Sequence, residues 1–231
     1  MKKTIILAMA FLALYVNAQT TGLGKLQIGM DIKELPELSS EKKIKTSSEY
    51  FKSVYQKYSG TDFYEITMDS TDKLYQNIGS LDKSVRVFCV GYFKLTETIA
   101  IIGVTLKFKD SKLYSIYCER DENLNDGLKI KFGEPKIEVE EKQKEYINGL
   151  GLTIVKVDKE YTSLYNTGFD NIKCKSYYST KHNEKGEESF SSYTVMEDKS
   201  ICKEVFTNEM QEKAKIREML NNISKEKYKG L

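Results

Sequence analysis

The middle of the chain alternates apolar and polar residues with a period of two. The segments SVRVFCVGYFKL, TIAIIGVTLKFKD and KLYSIYCE are rich in β-branched and aromatic residues, and the short polar stretches TET and KDSK separate them. Segments of this composition favour strands, and connections of this length join antiparallel neighbours. The pattern therefore predicts a three-stranded antiparallel meander.

A similar pattern follows from residue 136. KIEVEEKQKEYI, GLTIVKVDKEYTSLY, NIKCKSYYST, ESFSSYTVME and SICKEVF are predicted as strands, with KHNEKGEE as a polar hairpin tip. FKDSKLYSIYCE and MEDKSICKEVF each place an acidic turn before a cysteine-bearing strand, a shared pattern that is consistent with two similar sheet modules but too short to establish a repeat. The predicted division is an N-terminal half, 19–135, and a C-terminal half, 136–231, which form either one domain or two.

Four segments carry helix signals. Asp31 with Glu34 has the spacing of a capping box, and Gly133 and Pro135 stop a segment that follows the polar run DENLND. The predicted helices begin at Asp31, span Ser47–Tyr58, span Leu124 to Gly133, and run from Asn208 to about Lys227. Helices beside antiparallel meanders make the predicted fold class α+β.

The first eighteen residues predict a signal peptide. Lys2 and Lys3 precede an apolar run from Ile5 to Val16, and small residues precede a junction after Ala18, as in bacterial signal peptides. The run is shorter than the roughly 20 residues that a membrane-spanning helix needs. We therefore expect an exported protein, periplasmic or extracellular, that is soluble after cleavage near Gln19 and has no transmembrane anchor.

The charge of the mature chain argues against nucleic acid as a partner. Removing Lys2 and Lys3 lowers the basic count from 36 to 34, equal to the 34 acidic residues. Lysines alternate with glutamates throughout, so no basic stripe is present to neutralise a phosphate backbone. The predicted partner is an unidentified protein or small ligand of the cell envelope, and no cofactor is expected.

The four cysteines all lie in predicted strands. If TET and KDSK are the meander turns, Cys89 and Cys118 both lie opposite Gly103, roughly 9–10 Å apart across two strand spacings. A disulfide needs Cα atoms within about 7 Å, so a Cys89–Cys118 bridge is disfavoured. The same count places Cys174 and Cys202 on either side of Met196. Either bridges join the two halves, or the cysteines are small buried apolar residues.

The segment DENLND has two interpretations. Asp121, Asn123 and Asn125 alternate as the first ligands of a calcium loop do, but the turn glycine comes one position late and Phe132 replaces the bidentate Glu. Asp and Asn directly before an apolar-periodic segment are also typical of a helix start. The helix cap is the favoured interpretation, and no metal site is predicted.

Catalytic motifs are missing from the sequence. His182, the only histidine, falls in the predicted hairpin tip, and no nucleophile elbow, zinc-binding helix or phosphate-binding glycine loop occurs. No catalytic residue is predicted, and a non-catalytic protein is favoured. The alternative is a carboxylate-dependent hydrolase, for which GTDFYEITMDSTD is the best source of acids.

Tyrosine is abundant, with sixteen in the chain. Tyrosine is enriched in strands, which accounts for many of them, and it is also enriched where partners bind. The predicted binding surface is therefore aromatic, and it comprises Tyr50, Tyr55, Tyr58, Tyr177 and Tyr178.

The segments IGMDIKEL and LKIKFGEP carry a family resemblance. Ile28, Gly29, Met30 and Leu35, with Leu128, Gly133 and Pro135, resemble the pattern of the small outer-membrane protein A and β-lactamase-inhibitor-protein-like superfamily. The resemblance implies a secreted helix-plus-sheet module that acts as an interaction scaffold. The function expected is thus envelope-associated binding, with a hydrolase or a structural subunit of a surface assembly as alternatives.

Overall fold

A computed structural model of the chain describes residues 21–39, 42–55, 60–147 and 149–228, so the predicted signal peptide lies outside the described residues. Four α-helices are α1 Ser47–Tyr55, α2 Ser70–Gln76, α3 Glu122–Phe132 and α4 Lys199–Tyr228. The strands are β1 Gly22–Leu23, β2 Leu26–Gln27, β3 Lys43–Ile44, β4 Tyr64–Ile66, β5 Val85–Lys94, β6 Ala100–Lys109, β7 Lys112–Cys118, β8 Lys136–Ile147, β9 Thr153–Tyr165, β10 Ile172–His182 and β11 Glu188–Asp198. The predicted α+β class is confirmed in outline, with strand the larger part.

Nine of the strands form one open sheet in the order β3-β4-β5-β6-β7-β11-β10-β9-β8. All neighbours are antiparallel except β3 and β4. The meander β5-β6-β7 is therefore as predicted, and β7 pairs with β11 through Thr194 opposite Cys118. This pairing joins the N-terminal and C-terminal halves into a continuous sheet.

The first face of the sheet carries the larger core. Phe88, Leu106, Ile116 and Met196 are fully buried there, and α3 packs over them with Leu124 and Leu128. The hairpin β1-β2 and two 3-10 helices, Ile32–Glu34 and Pro36–Ser39, complete the cover. The predicted capping box of Asp31 and Glu34 is confirmed at the first of these short helices.

The second face is covered at one end by α1, α2 and α4. Val87, Cys89 and Tyr114 pack there with Val205 of α4. Asn208 donates to Asp82 over 2.7 Å and thereby attaches α4 to the loop before β5. Among the described residues no helix is both long and apolar enough to cross a membrane.

The prediction for SICKEVF is wrong, because this segment forms the first turns of α4. Asp198 ends β11, and its carboxylate accepts from Ser200 N at 2.9 Å and Ile201 N at 3.0 Å. Ile201 and Val205, four residues apart, then share a helix face that packs against the second core. The period is helical, so α4 begins nine residues before the predicted Asn208, at Lys199.

The predicted positions of the cysteines need correction. Cys89 lies opposite Thr105 instead of Gly103, because the TET turn pairs Leu95 with Ile99, and a register shift between Lys107 and Phe108 moves Cys118 by one residue. Cys174 lies opposite Met196 as predicted, but Cys202 lies in α4. All four cysteines are free.

At Gly91 in β5 and Gly103 in β6, the alternation of side chains between the two faces of the sheet reverses. Val90 and Phe93 both belong to the first core, although strict alternation would place residues three apart on opposite faces. The same holds for Ile101 and Val104. Gly103 has φ +60°, a left-handed conformation that glycine adopts without strain. The two strands therefore twist together at this pair, and bare backbone faces the second side of the sheet.

Candidate functional site

A groove lies on the second face beside these two glycines. Its larger part encloses about 420 Å³, and its lining residues are Tyr50, Tyr64, Cys89, Val90, Gly91, Gly103, Val104, Thr105, Tyr117, Glu119, Phe190, Ser191 and Ser192. A second depression of about 290 Å³ adjoins it and shares Tyr50, Thr105 and Tyr117. The groove thus follows the junction between the two halves, where β7 ends and β11 continues.

Glu119 gives the groove its charge. Its backbone N–H donates to Ile102 O at 3.0 Å, and its side chain lies over Gly103, where a Cβ would come within 3.0 Å of Glu119 Cγ. Burial raises the pKa of the Cys89 thiol to about 12, so this lining group stays neutral. Among the described residues that line this larger part, Glu119 is the one acidic or basic side chain, whereas Lys107 and Glu197 line the adjoining depression.

Three stacked tyrosines extend the groove along the sheet. The ring centroids of Tyr117 and Tyr193 are 5.2 Å apart, and those of Tyr193 and Tyr177 are 4.9 Å apart. The ladder follows the sheet order β7, β11, β10: Tyr177 lies directly opposite Tyr193, whereas Tyr117 lies opposite Val195 and meets Tyr193 diagonally. Stacking leaves ring edges and hydroxyl groups toward solvent, which gives an amphipathic surface.

Charged groups fix the hydroxyls of this tyrosine ladder. Lys175 Nζ donates to the Tyr193 hydroxyl at 3.0 Å, and the Tyr177 hydroxyl donates to Glu160 at 2.6 Å. Lys181 pairs with the same carboxylate at 2.7 Å, and these two hydrogen bonds hold the pKa of Glu160 below its usual value. These hydrogen bonds hold the side chains of Tyr177 and Tyr193 in place, which lowers the entropic cost of a contact.

The predicted tyrosine surface is divided by the structure. Tyr50 lines the groove and Tyr177 ends the ladder, so these two lie on the second face. Tyr178 follows Tyr177 in β10 and points to the other side of the sheet, and its ring stacks at 6.5 Å on Phe190, which borders the groove from that side. The side chain of Tyr55 and the whole of Tyr58 lie outside the described residues.

The acids of GTDFYEITMDSTD have structural partners. Asp62 pairs with Lys42, and Glu65 accepts two hydrogen bonds from Arg86 at 2.8 and 3.0 Å. Asp69 caps α2 by accepting from Asp72 N at 2.8 Å. These carboxylates therefore bind neighbouring groups instead of converging on one point.

The sequence predicts His182 in a polar hairpin tip, but the structure buries this residue at the base of the tip. Its backbone N–H donates to Asp158 at 2.8 Å, and its ring nitrogen Nδ1 lies 2.9 Å from the same oxygen. Lys144 pairs with Asp158 at 2.6 Å. This pair, with the His182 hydrogen bonds, holds the pKa of Asp158 well below its usual range. The cluster fastens the hairpin tip to β8 and β9.

The cap interpretation of DENLND is confirmed. The Asp121 carboxylate accepts from Leu124 N at 3.0 Å, and the Gly133 N–H ends the helix by donating to Lys129 O. Asn125 points inward, and its Oδ1 accepts from Ser176 at 2.6 Å. Within the described residues, no group of three or more potential ligands is placed to hold a metal ion.

Fold and groove together define an α+β protein with an open, mostly antiparallel sheet and an aromatic groove at the junction of its halves. Comparison with protein-family models, curated proteins and solved structures found no match to the chain. The resemblance to the small outer-membrane protein A and β-lactamase-inhibitor-protein-like superfamily therefore stays a prediction.

Proposed function

We propose that the chain is an exported, non-catalytic binding protein whose groove holds a segment of a protein partner in the cell envelope. The groove at Gly91 and Gly103 carries this proposal. It combines bare strand backbone, the tyrosine rim and a single charge, Glu119. Concave sites with a few placed polar groups and aromatic walls are the usual form of binding sites.

The chemistry of the groove favours a cationic side chain in the partner. A lysine or arginine is attracted both to a carboxylate and to the electron-rich face of a phenol ring. Tyr50 and Tyr117 line the same cavity as Glu119. In the larger part of the groove, an acidic segment would meet repulsion from Glu119 and find no opposite charge among the described lining residues, because Lys107 lines only the adjoining depression.

A carboxylate-dependent hydrolase is a less favoured alternative. A general acid and base need two carboxyl groups within reach of one substrate. In the segment predicted to supply these carboxyl groups, two carboxylates pair with Lys42 and Arg86, and a third caps α2. Glu119 has no second carboxylate beside it among the groove residues that the structure describes.

The experiment is a pull-down of tagged mature protein from envelope extract, with a matched pair of variants. Gly91→Val adds a side chain inside the groove at a strand position where β-branched residues are favourable. Thr162→Val places the same side chain on the second face, on β9 outside the groove, but adds no volume there. We expect Gly91→Val to lose the captured partner and Thr162→Val to keep it, with both variants unfolding at the wild-type temperature.

If both variants capture the partner equally, the groove is not the binding site. Export is tested separately by the N-terminal sequence of protein recovered outside the cytoplasm. We expect that sequence to start near Gln19, and an uncleaved protein confined to the cytoplasm would contradict export.

A further inference from the structure

The edge strand β8 is the most exposed element of the sheet. It pairs with β9 along its entire length, from Lys136 opposite Leu164 to Ile147 opposite Thr153. No strand lies on its other side in the part of the chain that the structure describes. A row of backbone N–H and C=O groups along this side is thus available to another strand.

β8 lacks the backbone features that usually prevent edge pairing, although its lysines and glutamates are side chains that commonly protect an edge. Its twelve residues contain no proline or glycine, and its register with β9 runs without a bulge. The opposite edge of the sheet, β3, has only two residues. Short or bulged strands protect an edge, so β8 is the open one.

The charges on one side of β8 are self-complementary in an antiparallel arrangement. Glu138, Glu140, Lys142 and Lys144 alternate along the strand, two acids followed by two bases. A second copy related by a two-fold axis at Glu141 brings Glu140 opposite Lys142 of the other copy, and Glu138 opposite Lys144. Each pair occurs twice, and opposite charges at facing positions stabilise antiparallel strands, although Glu138 and Lys144 already pair with Lys136 and Asp158 of their own chain.

Glu140 and Lys142 are available for this contact. Both are exposed, and neither forms an ion pair within the described residues of its own chain. On the axis, the two Glu141 carboxylates would approach each other, but each is already paired with Lys159 at 2.9 Å. Lys159 therefore offsets the one like-charge contact that the arrangement creates.

The other side of β8 contributes apolar surface. Ile137 is 63% exposed and Val139 is 50% exposed. In the same register, Val139 lies opposite Gln143 of the second copy and Ile137 lies opposite Glu145. The aliphatic stems of these two partners would cover the apolar side chains from solvent.

We propose that the protein forms a homodimer by antiparallel pairing of β8 with β8 of a second copy, centred on Glu141, so that one sheet runs through both molecules. The groove at Gly91 lies on the far side of β11 from this edge. Both grooves of the dimer stay open, and the dimer is independent of the binding function.

Charge exchange at Glu140 and Lys142 tests the interface and its register together. Glu140→Lys places lysine opposite Lys142, and Lys142→Glu places glutamate opposite Glu140, so each single variant replaces two attractive pairs by two repulsive ones. We expect each to weaken the dimer roughly tenfold or more in sedimentation equilibrium. The double variant exchanges the two charges and restores the homodimer.

Mixing the two single variants is the sharpest form of this test. A chain with lysine at both positions faces a chain with glutamate at both, so every pair is attractive and a heterodimer forms. Glu141→Cys gives an independent check, because this position meets itself and should cross-link two copies by a disulfide. Gln143→Cys, on the same side of β8, is the matched control and should not.

The proposal fails if the wild-type protein is monomeric at high micromolar concentration. It also fails if both single variants dimerise as the wild type does, or if Gln143→Cys cross-links as readily as Glu141→Cys. These positions are exposed, so circular dichroism should give the same folded spectrum for every variant. Loss of the dimer with unchanged partner capture would separate this interface from the groove.

Discussion

Ser176 is the centre of a buried hydrogen-bond chain that attaches α3 to the sheet. Its hydroxyl donates to Asn125 Oδ1 at 2.6 Å and lies 2.9 Å from the Thr194 hydroxyl. The exposed fractions of the three residues are 8% for Asn125, 2% for Ser176 and 0% for Thr194. Water therefore cannot replace a partner that is removed by mutation.

Replacing Ser176 by alanine should leave two buried polar groups without a partner. An unsatisfied buried donor or acceptor costs about 1–3 kcal/mol, so the free energy of unfolding should fall by about 3 kcal/mol. For a chain of this length, 1 kcal/mol corresponds to about 2–4 °C in Tm, so Tm should fall by about 6–12 °C. Ser163→Ala, on the strand beside Ser176, is the matched control and should change stability by less than about 0.5 kcal/mol.

Urea unfolding of four proteins gives the decisive comparison: wild type, Ser176→Ala, Thr194→Val and the double variant. Because Ser176→Ala has already removed the partner of Thr194, adding Thr194→Val should cost less than the same change in the wild type. Strict additivity, or a loss below about 1 kcal/mol for Ser176→Ala, would refute the buried chain as an anchor of α3.

Three further predictions concern α4, the hairpin tip and the cysteines. Asp198→Ala removes the cap of α4 and should cost about 1 kcal/mol in urea unfolding, and no loss would contradict the cap. The depressed pKa of Asp158 contributes stability above its unfolded pKa of about 4, and this contribution is lost as the pH falls through the folded value. The stability difference between wild type and Asp158→Asn should therefore shrink below pH 4, and a constant difference would contradict the ion pair with Lys144. Burial raises the pKa of Cys118 and Cys174 to about 12, so a thiol reagent should modify them only after unfolding. Mass spectrometry of unreduced protein should find four free thiols, and a Cys89–Cys118 bridge would contradict the strand register.

The meander and the helix caps were predictable because their signals are local. Period-two alternation defines β5 and β6, and Asp121 and Gly133 define the ends of α3. The start of α4 was not recognised because the β-branched Ile201 and Val205 resemble strand residues. Only their four-residue spacing after Asp198 indicates a helix. The segments β3, β4 and α2 are too short for a periodic signal.

The groove depends on contacts between distant parts of the chain. The TET turn brings Gly91 level with Gly103, but the other wall of the groove and the ladder need β7 to pair with β11. One local signal could have found half of the ladder, because a hairpin centred on Lys185 places Tyr177 opposite Tyr193. His182 was misplaced for the same non-local reason, since Asp158 and Lys144 come from other strands.

The central claim is that the groove binds a segment with a cationic side chain next to Glu119. The most direct measurement is binding of purified mature protein to an array of short peptides of varied charge, with wild type and Glu119→Gln in parallel. The wild type should prefer peptides with lysine or arginine, and the variant should bind them roughly tenfold more weakly, because the glutamine oxygen still accepts a hydrogen bond but carries no charge to attract the cation. A preference for acidic peptides, or equal binding by the two proteins, would contradict the claim.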